Sequence, residues 1–436
     1  MTIRRFLCLA LGAGFLASCD LLDQDSGPKV AGTRLDIRHS ARIDLPFVQA
    51  DQTLQLAVPK EIPNWYQVGQ NTKHVTGHIA FGGDWIKAWS VDIGEGISDG
   101  FALLAPPVAS RDALYVMDAA AQVSRFDFNG RKIWSRSLVP PNEEIHGLSG
   151  GGLALTDTAL IVTTMFGDVW ALDLEGGDEF WRVNIGVPVT GNPMVNENML
   201  LVQGLNGQAT ALSVKNGETL WVDLGIPSSP TFDRVGTSAM ADNVIVYPGI
   251  GGEVVGLKPN DGGRLWVDFP VFQRTDSVLE SAPTLSASPV IWRDFALVSA
   301  RNGSFFSVDV MTGKRIWSLP FGLRDTPAVT DDVAFGIDND QNLRAISLTD
   351  GKLFWSISLP EFENERKKEG VIAWFGPLII DEKIMVFSSH GKMMEINPLS
   401  AVVEDEKDVV EAALAPIIVS NNAFLLSRDG KLVAYK

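Results

Sequence analysis

Cysteine is almost absent from this 436-residue chain: Cys8 and Cys19 are the only two, and both lie in the first 19 positions. Beyond them no disulfide framework and no cysteine-based metal site is possible. Histidine is scarce as well, with five residues that form no ligand set. His74 and His78 stand four apart, a spacing that aligns two ligands on one helix face. Gly69, Gly77 and Gly82 argue against a helix there, and no third ligand follows. Basic residues number 36 against 53 acidic ones, a net charge of −17. Nucleic acid is disfavoured as a partner, because phosphates are met by clustered Lys and Arg. Neither a His-Glu-x-x-His nor a P-loop pattern occurs. These shortages leave no catalytic residue, metal ligand or cofactor-binding residue to nominate.

What the chain has in quantity is Gly, with 41 residues, and Trp, with 12. Their arrangement is repetitive. Asp309-Val-Met-Thr-Gly-Lys-Arg-Ile-Trp317 places a polar residue, a Gly four positions on and a Trp four positions after that. Asp173, Gly177 and Trp181 keep the spacing, as do Ser213, Gly217 and Trp221; Lys258, Gly262 and Trp266; and Ser347, Gly351 and Trp355. Asp127, Gly130 and Trp134 form a version one residue shorter, Trp89 stands without its turn, and Asn397 to Asp405 has lost both Gly and Trp. The Trp recur every 38 to 51 residues, the period of propeller blades.

Between successive Trp lie four apolar runs separated by Gly, Asn or Asp turns, which are strand and hairpin signals. In one unit they are Ala287 to Trp292, Phe295 to Ala300, Ser304 to Asp309 and Arg315 to Leu319, with turns at Asn302-Gly303 and Thr312-Gly313. Third strands end near eight positions, the last at Lys436, and fourth strands centre on Trp89, Trp134, Trp181, Trp221, Trp266, Trp317, Trp355 and Glu404. The C-terminus therefore ends on a third strand without its fourth, and Ile86 to Ile93 is a fourth strand without its blade. The expected fold is all-β: an eight-bladed β-propeller of four antiparallel strands per blade, closed by the two termini sharing a blade. The Trp are expected to fill the space between neighbouring blades.

Met1 to Ser18 reads as a signal peptide: Arg4 and Arg5, then an apolar run from Phe6 to Ala17 too short to span a bilayer. Residues 19–60 read as a tether and 61–436 as the propeller. Asp338-Asn339-Asp340 has the oxygen-rich look of a calcium loop but falls where other blades turn, and is read as a turn. Glu143, Glu144 and His146 after Pro140-Pro141, and the charged run from Glu361 through Arg366 to Glu369, read as solvated loops.

The pattern of Asp309 to Trp317 resembles the pyrroloquinoline-quinone (PQQ) repeat of quinoprotein propellers, and Leu16-Ala17-Ser18-Cys19 resembles a bacterial lipobox, in which the Cys is lipidated. Together they are similar to the BamB family, propeller lipoproteins of the outer-membrane β-barrel assembly (BAM) machinery. The resemblance covers residues 85–436 and the anchor. It implies a non-catalytic scaffold without cofactor, fixed to the outer membrane through Cys19 and facing the periplasm. Its partners would be the periplasmic domains of BamA and unfolded outer-membrane proteins. Carried over by position, the partner contacts are Phe232, Arg234, Arg274, Thr284 and Ser286; Thr284 and Ser286 stand about where the family has an acidic pair. Asp20 departs from the pattern, since an Asp after the lipidated Cys keeps some lipoproteins in the inner membrane. A PQQ-dependent oxidoreductase uses the same blades and is the alternative, but many carry a vicinal Cys pair that this chain lacks. A propeller scaffold of another envelope complex is the third reading.

Overall fold

The computed structural model describes residues 45–47, 54–98, 102–103, 105–110, 112–141, 150–189, 191–226, 235–270, 285, 287–300 and 303–436. Eight sheets, each a run of antiparallel hairpins, form the blades of a propeller, with inner strands near the axis and outer strands at the wall. Blades 1 to 7 follow chain order and have the outer strands Lys132–Ser137, Glu179–Asn184, Thr219–Asp223, Arg264–Asp268, Arg315–Leu319, Leu353–Ser358 and Val403–Asp408. Blade 8 is shared by the two ends of the described chain. Its inner three strands are Ile417–Val419, Asn422–Leu426 and Lys431–Tyr435, and its outer strand is Lys87–Asp92, paired antiparallel with Lys431–Tyr435. The expected closure by the termini is thus what the chain does. In the unit written out above, the inner strand is shorter than its apolar run, Val290–Trp292, while the outer strand agrees to the residue.

The repeat is explained by what its residues touch. Asp309 Oδ1 accepts the N–H of Thr312 (2.8 Å) and its hydroxyl (2.7 Å), and the Asp309 carbonyl accepts the N–H of Gly313 (2.8 Å). The Thr312 hydrogen bonds hold the Asp309 carboxyl below its usual range. The Gly must turn the chain through a left-handed conformation: φ runs from +69° to +82° at Gly130, Gly177, Gly217, Gly262, Gly313 and Gly351. It must also be bare, because the Trp ring of the preceding blade lies on it. A Cβ at Gly313 would come within 2.6 Å of the Trp266 ring, and one at Gly262 within 2.5 Å of Trp221. The Trp then latches the same turn by a hydrogen bond. Trp266 Nε1 donates to the Val310 carbonyl at 2.9 Å, and Trp89, Trp134, Trp181, Trp221, Trp317 and Trp355 donate at 2.7–3.1 Å to the equivalent carbonyls, from Phe128 to Pro398. A large ring and a satisfied indole N–H at each junction bind neighbouring blades to one another. Apolar clusters span the same junctions, as where Val246 and Val254 of blade 4 meet Ile291, Val298 and Phe306 of blade 5.

Residues 57–80, which carry no repeat, run through the axial end of the ring and pair with the inner strands. Trp65 and Ala109 of blade 1 exchange both backbone hydrogen bonds, at 2.7 and 2.9 Å. Leu155 of blade 2 donates to the Tyr66 carbonyl, and the Gln67 amide pairs with the Val195 backbone of blade 3 in both directions. Met240 and Ile291 of blades 4 and 5 donate to Thr72 and Lys73. Ala57 donates to the Thr330 hydroxyl of blade 6, at 3.4 Å. His78–Ile79 add a parallel strand to Trp374–Ile380 of blade 7, and Ser420 of blade 8 donates to Ile62. One segment thus hydrogen-bonds all eight blades and plugs the axis. Inner-strand groups that would otherwise be left open toward the channel are satisfied there.

Candidate functional site: the axial channel and the outer wall

Residues 57–80 cross one end of the channel, where they bond the C-terminal ends of the inner strands. His74 is buried, its Nδ1 donates to the Pro289 carbonyl at 2.7 Å, and burial pulls its pKa down to about 4, so the ring is neutral. His78 Nδ1 meets the Ala57 carbonyl at 2.5 Å while its Nε2 accepts the N–H of Glu382 at 2.7 Å. The two histidines therefore serve the plug's own hydrogen bonding. No group of three or more potential metal ligands occurs among the described residues.

Two concavities border the plug. One, of about 100 Å³, is lined chiefly by apolar side chains, among them Trp65, Val68, Phe375, Leu378 and Leu414. The other, of about 390 Å³, lies beside the hairpin turns of blades 2 and 3, and its lining includes the polar side chains Tyr66, Gln70, Asn71, Asp157 and Glu197. A PQQ cofactor carries three carboxylates and a planar tricycle. The first space falls short of the ~300–1,000 Å³ usual for ligand sites. Neither lining contains Lys, Arg or His, and the second brings two carboxylates of its own. The described residues that line these two spaces do not fit that cofactor.

The buried charged groups are mostly committed to structure. Asp338 accepts the N–H of Asp340 and Asn342 on Oδ1, and Arg344 Nε lies 2.7 Å from its Oδ2, so Asp338-Asn339-Asp340 is the expected turn. Asp168 of blade 2 is held by Arg182 at 2.7 Å and Asn184 at 3.0 Å. The same position in blade 4 is Glu253, which is fully buried, and neither of its carboxylate oxygens has a hydrogen-bond partner. By strand register the places of Arg182 and Asn184 are taken there by Val267 and Phe269. The run from Glu361 to Val371 forms a small exposed hairpin, Phe362–Asn364 with Glu369–Val371.

Cys19, Phe232, Arg234, Arg274, Thr284, Ser286, Glu143, Glu144 and His146 lie outside the described residues. The flanks of the two segments expected to carry partner contacts are described. One segment joins outer strand Thr219–Asp223 to inner strand Ala239–Ala241, and the other joins Arg264–Asp268 to Val290–Trp292. Both are outer-to-inner connections, of blades 3 to 4 and 4 to 5. Gly147 to Gly151 spells Gly-x-Ser-x-Gly, the pattern of a hydrolase nucleophile. The inner strand Gly151–Leu155 begins at its last residue, not the helix that a nucleophile elbow requires.

The fold and its Asp–Gly–Trp junctions define a PQQ-repeat β-propeller. A family model described as "Outer membrane protein assembly factor BamB" matches residues 119–357, more than half of the chain, and the chain belongs to that family. BamB from Burkholderia pseudomallei is 21% identical over 359 residues, covering 80% of this chain and 87% of the relative. BamB from Shewanella oneidensis is 23% identical over 358 residues, covering 79% and 87%. Among solved structures, BamB from Moraxella catarrhalis superposes with a TM-score of 0.65 at 15% identity, over 80% of this chain and 99% of that one. The quinohemoprotein alcohol dehydrogenase of Comamonas testosteroni gives the same score and identity over 86% and 80%. At such identities the structures speak to fold alone.

Proposed function

We propose that this chain is a non-catalytic scaffold lipoprotein of the outer-membrane β-barrel assembly machinery. In this reading residues 1–18 are removed, Cys19 carries the lipid, and the chain between Cys19 and the ring-bound segment at residues 57–80 tethers a periplasmic propeller to the outer membrane. The segments holding Phe232 and Arg234, and Arg274, Thr284 and Ser286, dock the periplasmic domains of BamA, and the ring assists delivery of unfolded outer-membrane proteins. Relatives named as outer-membrane assembly factors along most of the chain support it. The observation that carries it over an enzyme is the axis: the protein's own residues 57–80 occupy it, and the concavities left beside them offer no cation for a polyanionic cofactor.

The test is a mild-detergent pull-down from native envelope with the Cys19-anchored protein and an Arg234→Glu variant. Recovery of a barrel-assembly subunit by the wild type and its loss from the variant support both the role and the docking segment. Recovery of no such subunit by either overturns the reading. The shared fold of the alcohol dehydrogenase makes an oxidoreductase the second reading. It predicts a new absorbance band on titrating PQQ with calcium, where the scaffold predicts none. Membrane fractionation settles what Asp20 does: a scaffold of this machinery fractionates with the outer membrane.

A further inference from the structure

The outer wall repeats as regularly as the junctions, which makes the exceptions readable. One and three residues after each repeat Trp, or after its counterpart Asp405, the outer strand presents two positions away from the packed ring. In six blades these are polar, apart from Pro320 of blade 5: Ser135 and Ser137 in blade 1, Arg182 and Asn184 in blade 2, Ser356 and Ser358 in blade 6, Glu406 and Asp408 in blade 7. In blades 3 and 4 they are Val222 and Leu224, and Val267 and Phe269, all exposed, Leu224 by 74% and Phe269 by 58%. Leu220, also exposed, extends the strip two residues earlier, at a position that is apolar and exposed in blades 1, 2 and 5 as well, as Ile133, Phe180 and Ile316, so that blade 3 is set apart by Val222 and Leu224.

In blade 4 the exchange leaves a buried group unserved. Glu253 keeps the carboxylate that Arg182 and Asn184 satisfy in blade 2, while the residues at their places are Val267 and Phe269. A buried carboxylate without partners destabilises the fold, so the apolar surface is present despite its effect on stability. The two blades are also fixed to each other, since Arg264 of blade 4 bonds both Asp223 oxygens of blade 3 at 2.7 Å. The outer strands of blades 3 and 4 each pair on one side only among the described residues, so their outer edges keep a row of free backbone groups.

A free strand edge beside apolar side chains at every second residue, Leu220, Val222 and Leu224, is complementary to another extended strand of the same alternation. We infer that the outer wall of blades 3 and 4 is a docking strip for an extended, unfolded polypeptide segment with apolar residues at alternate positions, the pattern of a transmembrane β-barrel strand before insertion. The inference goes beyond the docking of a folded subunit and does not depend on it.

The experiment uses the full propeller, purified without any partner, and fluorescence anisotropy with two labelled peptides of equal composition. One alternates Val or Leu with Thr or Ser; the other groups the same apolar residues in a block. The alternating peptide is expected to bind at least tenfold more tightly than the blocked one. Val222→Ser with Leu224→Ser, combined with Val267→Ser and Phe269→Ser, should reduce that binding at least tenfold. The reciprocal change, Ser135→Val with Ser137→Leu in blade 1, whose outer strand pairs on one side only among the described residues, should add a second site and guards against a variant that merely unfolds. Equal binding of the two peptides, undiminished binding by the serine variant in a folded ring, or no second site in the reciprocal variant each overturns the inference. Concentration-dependent self-association that the serine variant abolishes also overturns it, since the strip would then seat a second copy of the chain. Failure of the pull-down above leaves this result unaffected, so the two ideas fail separately.

Discussion

Seven junctions between blades are built alike, with a Trp of one outer strand donating to the turn of the next blade, while the eighth is built differently. Between blades 7 and 8 the Trp place is held by Asp405. No chain runs from the third to the fourth strand of blade 8, because Lys431–Tyr435 and Lys87–Asp92 come from opposite ends of the described chain. Aromatic packing stands in for the latch there: the Trp85 ring lies 5.3 Å from Phe387 and 6.0 Å from Tyr435. Near the outer strand of blade 7, Glu395 is buried between Lys383 and Lys407, whose hydrogen bonds offset its desolvation and hold its carboxyl below the usual range. A repeat can be copied around a ring, but the place where the ring is sewn shut must be solved once, with other residues.

The largest effect expected from breaking a standard junction is that of Trp266→Ala. It removes a nearly buried ring and its hydrogen bond to Val310, and should cost about 3–5 kcal/mol in denaturant unfolding. Gly313→Ala attacks the same contact from the other blade. A side chain there meets the Trp266 ring at 2.6 Å and must adopt φ +69°, so a loss of roughly 1–3 kcal/mol is expected, less than for removing the ring itself.

A smaller effect comes from the staple between blades 3 and 4. The Arg264 guanidinium, ahead of every other cause, holds the Asp223 carboxyl below its usual range. A carboxyl whose pKa falls on folding adds stability above its unfolded value, and that stability is lost as pH falls through the folded one. Arg264→Gln should therefore lower the thermal midpoint at pH 7, and the gap to wild type should begin to narrow as pH drops below about 4 and close only below the depressed folded value. Smallest of all is a gain. Ala401 stands where the other turns have Gly and is held at φ +59°, so Ala401→Gly should raise stability by about 0.5–1 kcal/mol in the same assay.

The blades were legible in the sequence because each motif residue has a local duty that few others can perform. Asp309 closes a turn, Gly313 reverses the chain under a ring, and Trp266 is that ring, and such duties repeat with the blades. The degenerate copy from Asn397 to Asp405 was readable only as a place that has lost both Gly and Trp; the structure adds that the turn itself is kept, with Ala401 in the Gly place. The plug was not legible. Trp65, Tyr66, Thr72 and Lys73 bond through backbone atoms, which any sequence supplies, and no period marks them. His74 and His78, which looked like half a metal site, are parts of that plug. The polarity of the outer wall could have been found by aligning the repeats on their Trp, since Val222, Leu224, Val267 and Phe269 depart from the polar choice of the other blades. The residues that cross the axis are the ones without a pattern.

The account depends most on the ring being closed by its two ends, because a plugged axis and a two-blade outer strip both require it. Asp92 and Lys431 sit directly opposite each other across that seam, both exposed, within the Cα separation that a disulfide spans. The account predicts that Asp92→Cys with Lys431→Cys forms an intramolecular disulfide in the folded protein. It should appear as a faster band on a non-reducing gel, with raised thermal stability that is lost on reduction. Free thiols persisting under oxidising conditions in a folded protein, or cross-links only between separate chains, would contradict it.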